Sequence, residues 1–274
     1  MKMHTKRLRR RVRRAIDYLK AAHIDLRLWL TGKTDRDIPP LRLQIVGFGD
    51  FRRMGEELVR LLIDAGGLRP TDRVLDIGCG VGRVALPLTR YLQPPARYDG
   101  FDVMKRAIRW CDRHITANHP NFRFHHVAVS NSEYSSGGVA ASDFRFPFAD
   151  ASFDFAFATS VFTHLVEEET KRYLAETARV LVSGGRLLAT FFLLNDFSLR
   201  NLPTRLGGYT FPFERASMRL LDPDNPAAGV ALPEEVIVTL LRDARFKISK
   251  IDYGEWSGRS NTIQFQDVVV CRRL

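Results

Sequence analysis

Three glycines at alternate positions follow an acid in Asp76-Ile77-Gly78-Cys79-Gly80-Val81-Gly82-Arg83. Glycine tolerates unusual backbone angles and lets the main chain approach a bound molecule closely. The apolar residues before the run read as a strand and those after Arg83 as a helix. Ligands of open α/β sheets bind at the carboxyl ends of strands, beside such turns. A nicotinamide dinucleotide fingerprint needs glycines spaced two and then three apart, and Arg83 stands where its third glycine would be. Asp76, at the strand's end, would be a poor neighbour for a pyrophosphate and a good one for a positively charged group. No Gly-Lys-Ser/Thr follows, so this is not a P-loop.

A second acid, Asp102, ends the next apolar run at 98–103, twenty residues beyond Gly82. A carboxylate offers two acceptor oxygens and suits a pair of ribose hydroxyls. Dinucleotide enzymes use an acid in the same way, so Asp102 alone does not discriminate. Further on stand Asp143-Phe144-Arg145-Phe146-Pro147-Phe148-Ala149-Asp150-Ala151-Ser152-Phe153-Asp154 and the strand exit Ala158-Thr159-Ser160-Val161-Phe162-Thr163-His164. His164 is the candidate general base, with packing or capping of the next helix as the bland alternative. One of His125 and His126 must face inward from its strand, where a hydrogen-bonded core histidine is expected. No His-x-x-x-His and no His/carboxylate cluster is present, so no metal site is expected.

The Asp-x-Gly-x-Gly-x-Gly run resembles the first motif of the class I methyltransferases that use S-adenosylmethionine. The resemblance covers residues 70–272 and takes in Asp102, the 143–154 segment and Val180-Leu181-Val182-Ser183-Gly184-Gly185 before the fifth strand. It implies a cofactor site built from Asp76, Gly78, Cys79, Gly80, Gly82, Arg83, Asp102, Val103, Asp143, Phe144 and Ser160. In it Asp102 would take the ribose hydroxyls, Asp143 the adenine amino group and Asp76 the methionine end. The implied cofactor is S-adenosylmethionine, and the implied reaction is in-line methyl transfer. Residues 160–165 and 254–267 resemble a bacterial subgroup, which names no substrate. A small-molecule or lipid-like acceptor, attacked through oxygen, is the expectation.

The elements that must position these residues alternate. Strands are expected at 73–77, 98–103, 122–129, 153–159 and 186–193, with helices at 83–92, 104–117 and 167–181. A helix at 234–244 leads to strands at 246–253 and 263–271, which have no helix between them and so pair antiparallel. The expected fold is α/β: a three-layer, Rossmann-like, seven-stranded sheet, mostly parallel with the last strand antiparallel. Residues 195–232 carry Pro203, Pro212, Pro223, Pro226 and Gly207-Gly208 and read as a lid-like insertion without regular structure. Within it Tyr209, Phe211 and Phe213 are candidates to cover an acceptor; Trp256 and Arg259 are weaker ones.

Residues 1–70 form a helical N-terminal extension or cap, and 71–274 the cofactor-binding domain. Val12, Ile16, Leu19, Leu26 and Leu30 define one face of a helix, with His23 at the missing step, and a second helix spans 51–65. These helices are expected to complete the pocket. The chain has 274 residues, 45% hydrophobic and 27% charged, with a net charge of +11, which excludes wholesale disorder. Lys2, Lys6, Arg7, Arg9, Arg10, Arg11, Arg13 and Arg14 supply eight of those charges, with no acid among them. Cys79, Cys111 and Cys271 are too few and scattered for a disulfide framework, so a reducing, cytoplasmic setting is expected.

No run reaches the length of a transmembrane helix, and no apolar stretch follows the basic N-terminus as in an export leader. A solvated end is the simplest reading of the basic tail. Docking on an anionic membrane surface comes second, and nucleic acid, which is not expected, third. The rival functions are an RNA or protein methyltransferase using the basic end, or a non-catalytic membrane- or partner-binding protein on the same fold.

Overall fold

A strand buried on both faces must be apolar at almost every position, and 74–77, 153–158 and 187–191 meet that demand. The computed structural model describes residues 2–35, 37–44, 49–131, 137–202 and 209–274; the side chains of residues 2–11, 13 and 14 lie outside that description.

In chain order the elements are α1 (Lys2–Leu30), α2 (Phe51–Asp64), β1 (Arg73–Ile77), α3 (Ala85–Leu88), β2 (Arg97–Asp102) and α4 (Lys105–Cys111). Then come β3 (Phe122–His126), β4 (Val129–Ser130), β5 (Val139–Ala140), β6 (Phe153–Ala158), α5 (Glu167–Val180), β7 (Leu181–Phe191) and β8 (Leu193–Leu194). The chain continues through α6 (Asp196–Asn201), β9 (Phe213–Arg215), β10 (Met218–Leu220), β11 (Val230–Pro233), α7 (Glu234–Asp243), β12 (Phe246–Asp252) and β13 (Asp267–Arg273).

The main sheet has seven strands in the order β12-β13-β7-β6-β1-β2-β3. Six point the same way, and β13 alone is reversed, antiparallel to both β7 and β12. The expected architecture is therefore present. Alternation assigns each face. Leu75, Ile77, Phe101, Ala156, Leu187 and Ala189 pack with Leu174 of α5 and Ile237 of α7. Val74, Tyr98, Phe155, Phe157 and Leu188 pack with Leu62 of α2, Leu88 of α3 and Ile108 of α4. Burying an aromatic such as Phe157 in such a layer contributes about 3 kcal/mol or more.

Several boundaries differ from the sequence expectation. The helix at 83–92 contracts to Ala85–Leu88, with irregular turns on both sides. The fifth strand begins at Leu181 rather than 186: Phe153 pairs with Leu181 and Phe155 with Arg186, so the chain bulges at Gly184-Gly185 without leaving the sheet. The largest correction falls in 195–232. This segment contains α6 and three of the strands of a second sheet, in the order β8-β11-β10-β9. Its strands are two to four residues long, too short for alternation to show. Residues 203–208, including Pro203 and Gly207-Gly208, lie outside the described residues.

Candidate functional site

The carboxyl ends of β1, β2 and β6 converge on one cavity of about 780 Å³ including its mouth. Its lining takes Gly78 and Gly80 from the loop after β1, and Asp102, Val103 and Met104 from the end of β2. Thr159, Ser160, Val161 and His164 come from the exit of β6, with Tyr173 from α5.

Gly78 has φ +77, and a Cβ there would meet Val161 Cγ2 at 2.5 Å. Gly80 has φ +53, and a Cβ there would meet nothing within 4 Å, because the cavity lies over it. The first glycine is thus required by the turn and by Val161, and the second leaves a face of bare backbone toward the cavity.

The amides of the loop are committed elsewhere. Gly78 N and Cys79 N both donate to Phe101 O, at 2.9 and 3.0 Å. Gly82 N donates to Cys79 O at 3.0 Å, and Gly80 N to Asp102 Oδ2 at 2.8 Å. A phosphate cradle needs such N–H groups aimed at the ligand. Here they hold the loop to β2 and position Asp102, whose Oδ1 accepts from Met104 N at 2.8 Å. Val103 N also acts on this carboxylate, which retains acceptor capacity for a hydroxyl donor. Burial pushes Asp102 above the usual carboxylate range, against the pull of these backbone donors. The loop's chemistry suits a nucleoside with a cationic, phosphate-free tail.

Asp76 lies beneath the loop, 2% exposed, and does not line the cavity. Tyr98 OH donates to its Oδ2 at 2.5 Å. Burial is the main cause that pushes Asp76 up to about 8, with the nearby Asp102 acting in the same direction and the Tyr98 hydrogen bond opposing it. A cation arriving at the loop would favour the ionised form. Tyr98 was legible only as a strand residue.

On the opposite wall, His164 Nδ1 is 2.7 Å from the carbonyl oxygen of Ala227. A carbonyl only accepts, so Nδ1 carries a proton in this contact. Ser160 holds φ +58, uncommon for a residue with a side chain. Its N donates to Thr190 Oγ1 at 2.8 Å and its Oγ to Gln266 Oε1 at 3.1 Å. Next to Gln266, the buried Asp267 accepts from Leu193 N, Gly254 N and Trp256 Nε1 at 2.7, 2.7 and 2.6 Å. Burial pushes Asp267 up to about 6 despite those donors. This carboxylate ties the second sheet and the 254–266 turn to the rim of the main sheet.

Of the residues expected at the cofactor, Gly78, Gly80, Asp102, Val103 and Ser160 line the cavity. Cys79, Gly82 and Arg83 stand behind the loop; Arg83 packs over the Phe51 ring at 5.5 Å. Asp143 is exposed on a short turn outside the lining, although its neighbour Ala141 lines it. The Phe144 ring is buried against Phe101 and Tyr173. The loop carrying both is clamped by α5: Glu176 accepts from Phe146 N at 2.8 Å, and Arg172 donates to Phe144 O at 2.8 Å.

Among the described residues, none of α1 or α2 lines the cavity; α2 instead buttresses the glycine loop, with Gly55 against Arg83 O. Tyr209, Phe211 and Trp256 pack with Phe192 in an aromatic cluster, and Phe213 is exposed. Arg259 stacks between the rings of Phe197 and Tyr253 at 4.0 and 4.3 Å. His125 bonds to Asp99 at 2.8 Å, a structural role. Among the described residues, no three of His, Cys, Asp and Glu are grouped as metal ligands would be.

A methyltransferase-domain family model matches residues 75–189. A phthiotriol/phenolphthiotriol dimycocerosates methyltransferase of Mycobacterium ulcerans is 36% identical over 121 residues, 43% of this chain and 36% of that protein. An O-methyltransferase of Aspergillus nomiae is 33% identical over 129 residues, 44% of this chain and 47% of that one. The chain thus spans between 36% and 52% of the length of such relatives. The crystal structure of magnesium protoporphyrin IX methyltransferase from Synechocystis, with bound S-adenosylhomocysteine, shares the fold. Its TM-score is 0.53 at 18% identity, over 85% of this chain and 92% of that one.

Proposed function

We propose that the chain moves a methyl group from S-adenosylmethionine to an oxygen of a small or lipid-like acceptor, with His164 as the general base; the methyltransferase-domain match over residues 75–189 supports the methyl transfer. The observation that carries this reading is the pairing of Asp102 and the bare glycine loop on one wall with His164, whose Nδ1 donates to Ala227 O, on the other.

The residues fit the cofactor. Gly78 and Gly80 offer backbone faces with their amides turned away, Asp102 offers acceptors to the ribose, and Asp76 supplies negative charge below the loop. S-adenosylmethionine brings the activated methyl group on a sulfonium. The protein's task is to hold a nucleophile in line and remove its proton. In this reading His164 Nε2 takes the proton of the acceptor hydroxyl as its oxygen attacks the methyl carbon. The Ala227 carbonyl holds the ring and stabilises the imidazolium that results. Val103, Met104, Val161, Leu165 and Tyr173 give the cavity apolar walls that exclude water. Asp143 is kept as the adenine partner only if its turn moves inward when the cofactor binds. Within the N-terminal region, α2 acts as a buttress rather than a pocket wall.

The oxygen and the lipid-like class draw support from the names of the two relatives, one an O-methyltransferase and one acting on dimycocerosates. The test is transfer from methyl-labelled cofactor to a panel of phenolic, carboxylate and lipid-linked hydroxyl acceptors. Label in an ether or ester product, lost in His164→Ala, supports the reading. Label appearing only on amines, or transfer unaffected by His164→Ala, contradicts it.

A further inference from the structure

We infer that α1 is an interfacial helix that docks the chain on an anionic membrane surface. The helix spans Lys2–Leu30 and is about 43 Å long at 1.5 Å per residue. The sequence periodicity along Val12, Ile16, Leu19, Leu26 and Leu30 defines one apolar face of the helix. These side chains are between 46% and 68% exposed, and Trp29 is 68% exposed. None of the described residues of α1 joins a buried cluster.

The helix is fastened by other residues. Asp25 accepts from Leu41 N at 2.7 Å and from Arg42 Nη1 at 2.8 Å, and Arg106 lies over the Tyr18 ring at 5.9 Å. Those attachments leave Val12, Ile16, Leu19 and Leu30 exposed to solvent, while Leu26 and Trp29, also more than half exposed, border a shallow cavity shared with residues between 33 and 44.

The occupant is set by charge. The helix carries ten basic residues against two acids, and eight of the ten precede residue 15 with no acid among them. A nucleic acid would use the charge and leave six apolar side chains in water. A neutral protein groove would use the stripe and leave the charge unmatched. An anionic bilayer surface satisfies both, with leucines and the indole at the acyl boundary and the cations among the headgroups. Among the described residues no helix is long and apolar enough to cross a membrane, so α1 lies on the surface.

The placement bears on the acceptor. Arg106 belongs to the first turn of α4, directly after the cavity-lining Val103 and Met104. Docking through α1 therefore brings a membrane to the rim of the cavity. The docking itself does not rest on the methyl-transfer reading.

The experiment is co-sedimentation of the full chain with vesicles of phosphatidylcholine alone and of phosphatidylcholine with phosphatidylglycerol, at low and high salt. The parent is compared with Leu19→Glu/Leu26→Glu and with Arg9→Gln/Arg10→Gln/Arg11→Gln. Expected is binding to the anionic vesicles only, weakened by salt and reduced about tenfold or more in both variants. Cofactor binding, measured on the same preparations, stays at the parent level and separates this result from failure of the catalytic reading or of folding. Equal binding to neutral vesicles, no binding, or full retention by the Leu→Glu variant would overturn the inference. Retention of that kind together with RNA binding would assign the tail to nucleic acid.

Discussion

The two walls of the cavity are assembled over very different lengths of chain. The cofactor wall joins Gly80 to Asp102 across 22 residues, and Asp76 to Tyr98 across 22. The acceptor wall joins His164 to Ala227 across 63 residues and Ser160 to Gln266 across 106. The first is a strand, a turn and the next strand, whose register fixes everything within one β-α-β unit. The second needs the main sheet, the second sheet and the 254–266 turn to be in place together. On the proposed function, cofactor binding is a local property, and acceptor recognition depends on contacts that reach from Ser160 to Gln266 and from His164 to Ala227.

Substitutions on the two walls should part company. The largest effect belongs to His164→Ala, which should lower kcat by about a hundredfold to ten-thousandfold. Calorimetry should find its cofactor affinity within about twofold of the parent. A matching fall in affinity would mean that the walls are not separable.

Next comes Asp267→Ala, which leaves Leu193 N, Gly254 N and Trp256 Nε1 buried without an acceptor. It should cost about 3–5 kcal/mol in denaturant unfolding and raise the acceptor KM more than it weakens the cofactor. Equal damage to both would show that the second sheet supports the glycine loop as well.

Asp102→Ala should weaken cofactor binding about a hundredfold while leaving the Trp256 environment, read by fluorescence, unchanged.

The smallest effect is a pH dependence. Burial holds Asp76 protonated below about 8 in the free protein. A cation at the loop favours its carboxylate, so binding releases a proton below that pH. Affinity for the cofactor should rise several-fold from pH 6 to 8. Proton release, measured in buffers of different ionisation enthalpy, should vanish in Asp76→Asn. The sign for stability runs the other way. A carboxyl raised in the folded state stabilises when protonated, and that contribution is lost as pH rises from about 4 to 8.

The same contrast explains what the sequence made legible. Asp76, the glycines and Asp102 form short patterns whose spacing carries the chemistry, and the strand leading into the loop is apolar at Val74, Leu75 and Ile77. His164 was visible as a residue type, but its partner is a backbone carbonyl, which leaves no mark in the sequence. Tyr98 reads as one more β-forming aromatic; its role follows from register, which sets it opposite Val74 in a parallel pair. Asp267, Glu176 and Arg172 look like ordinary surface charges until folding buries or clamps them. The strands of 195–232 were hidden by their shortness and by the prolines between them. For α1 the period was read correctly, but periodicity cannot say which way the apolar stripe points.

The measurement that tests the reading most directly is calorimetric titration of the purified protein with S-adenosylmethionine and S-adenosylhomocysteine, with NAD as the control. Saturable binding of both sulfur nucleosides near a micromolar Kd, about −8 kcal/mol, with none for NAD, is the predicted result. No binding of either, or a preference for NAD, would contradict it and return the glycine loop to a dinucleotide.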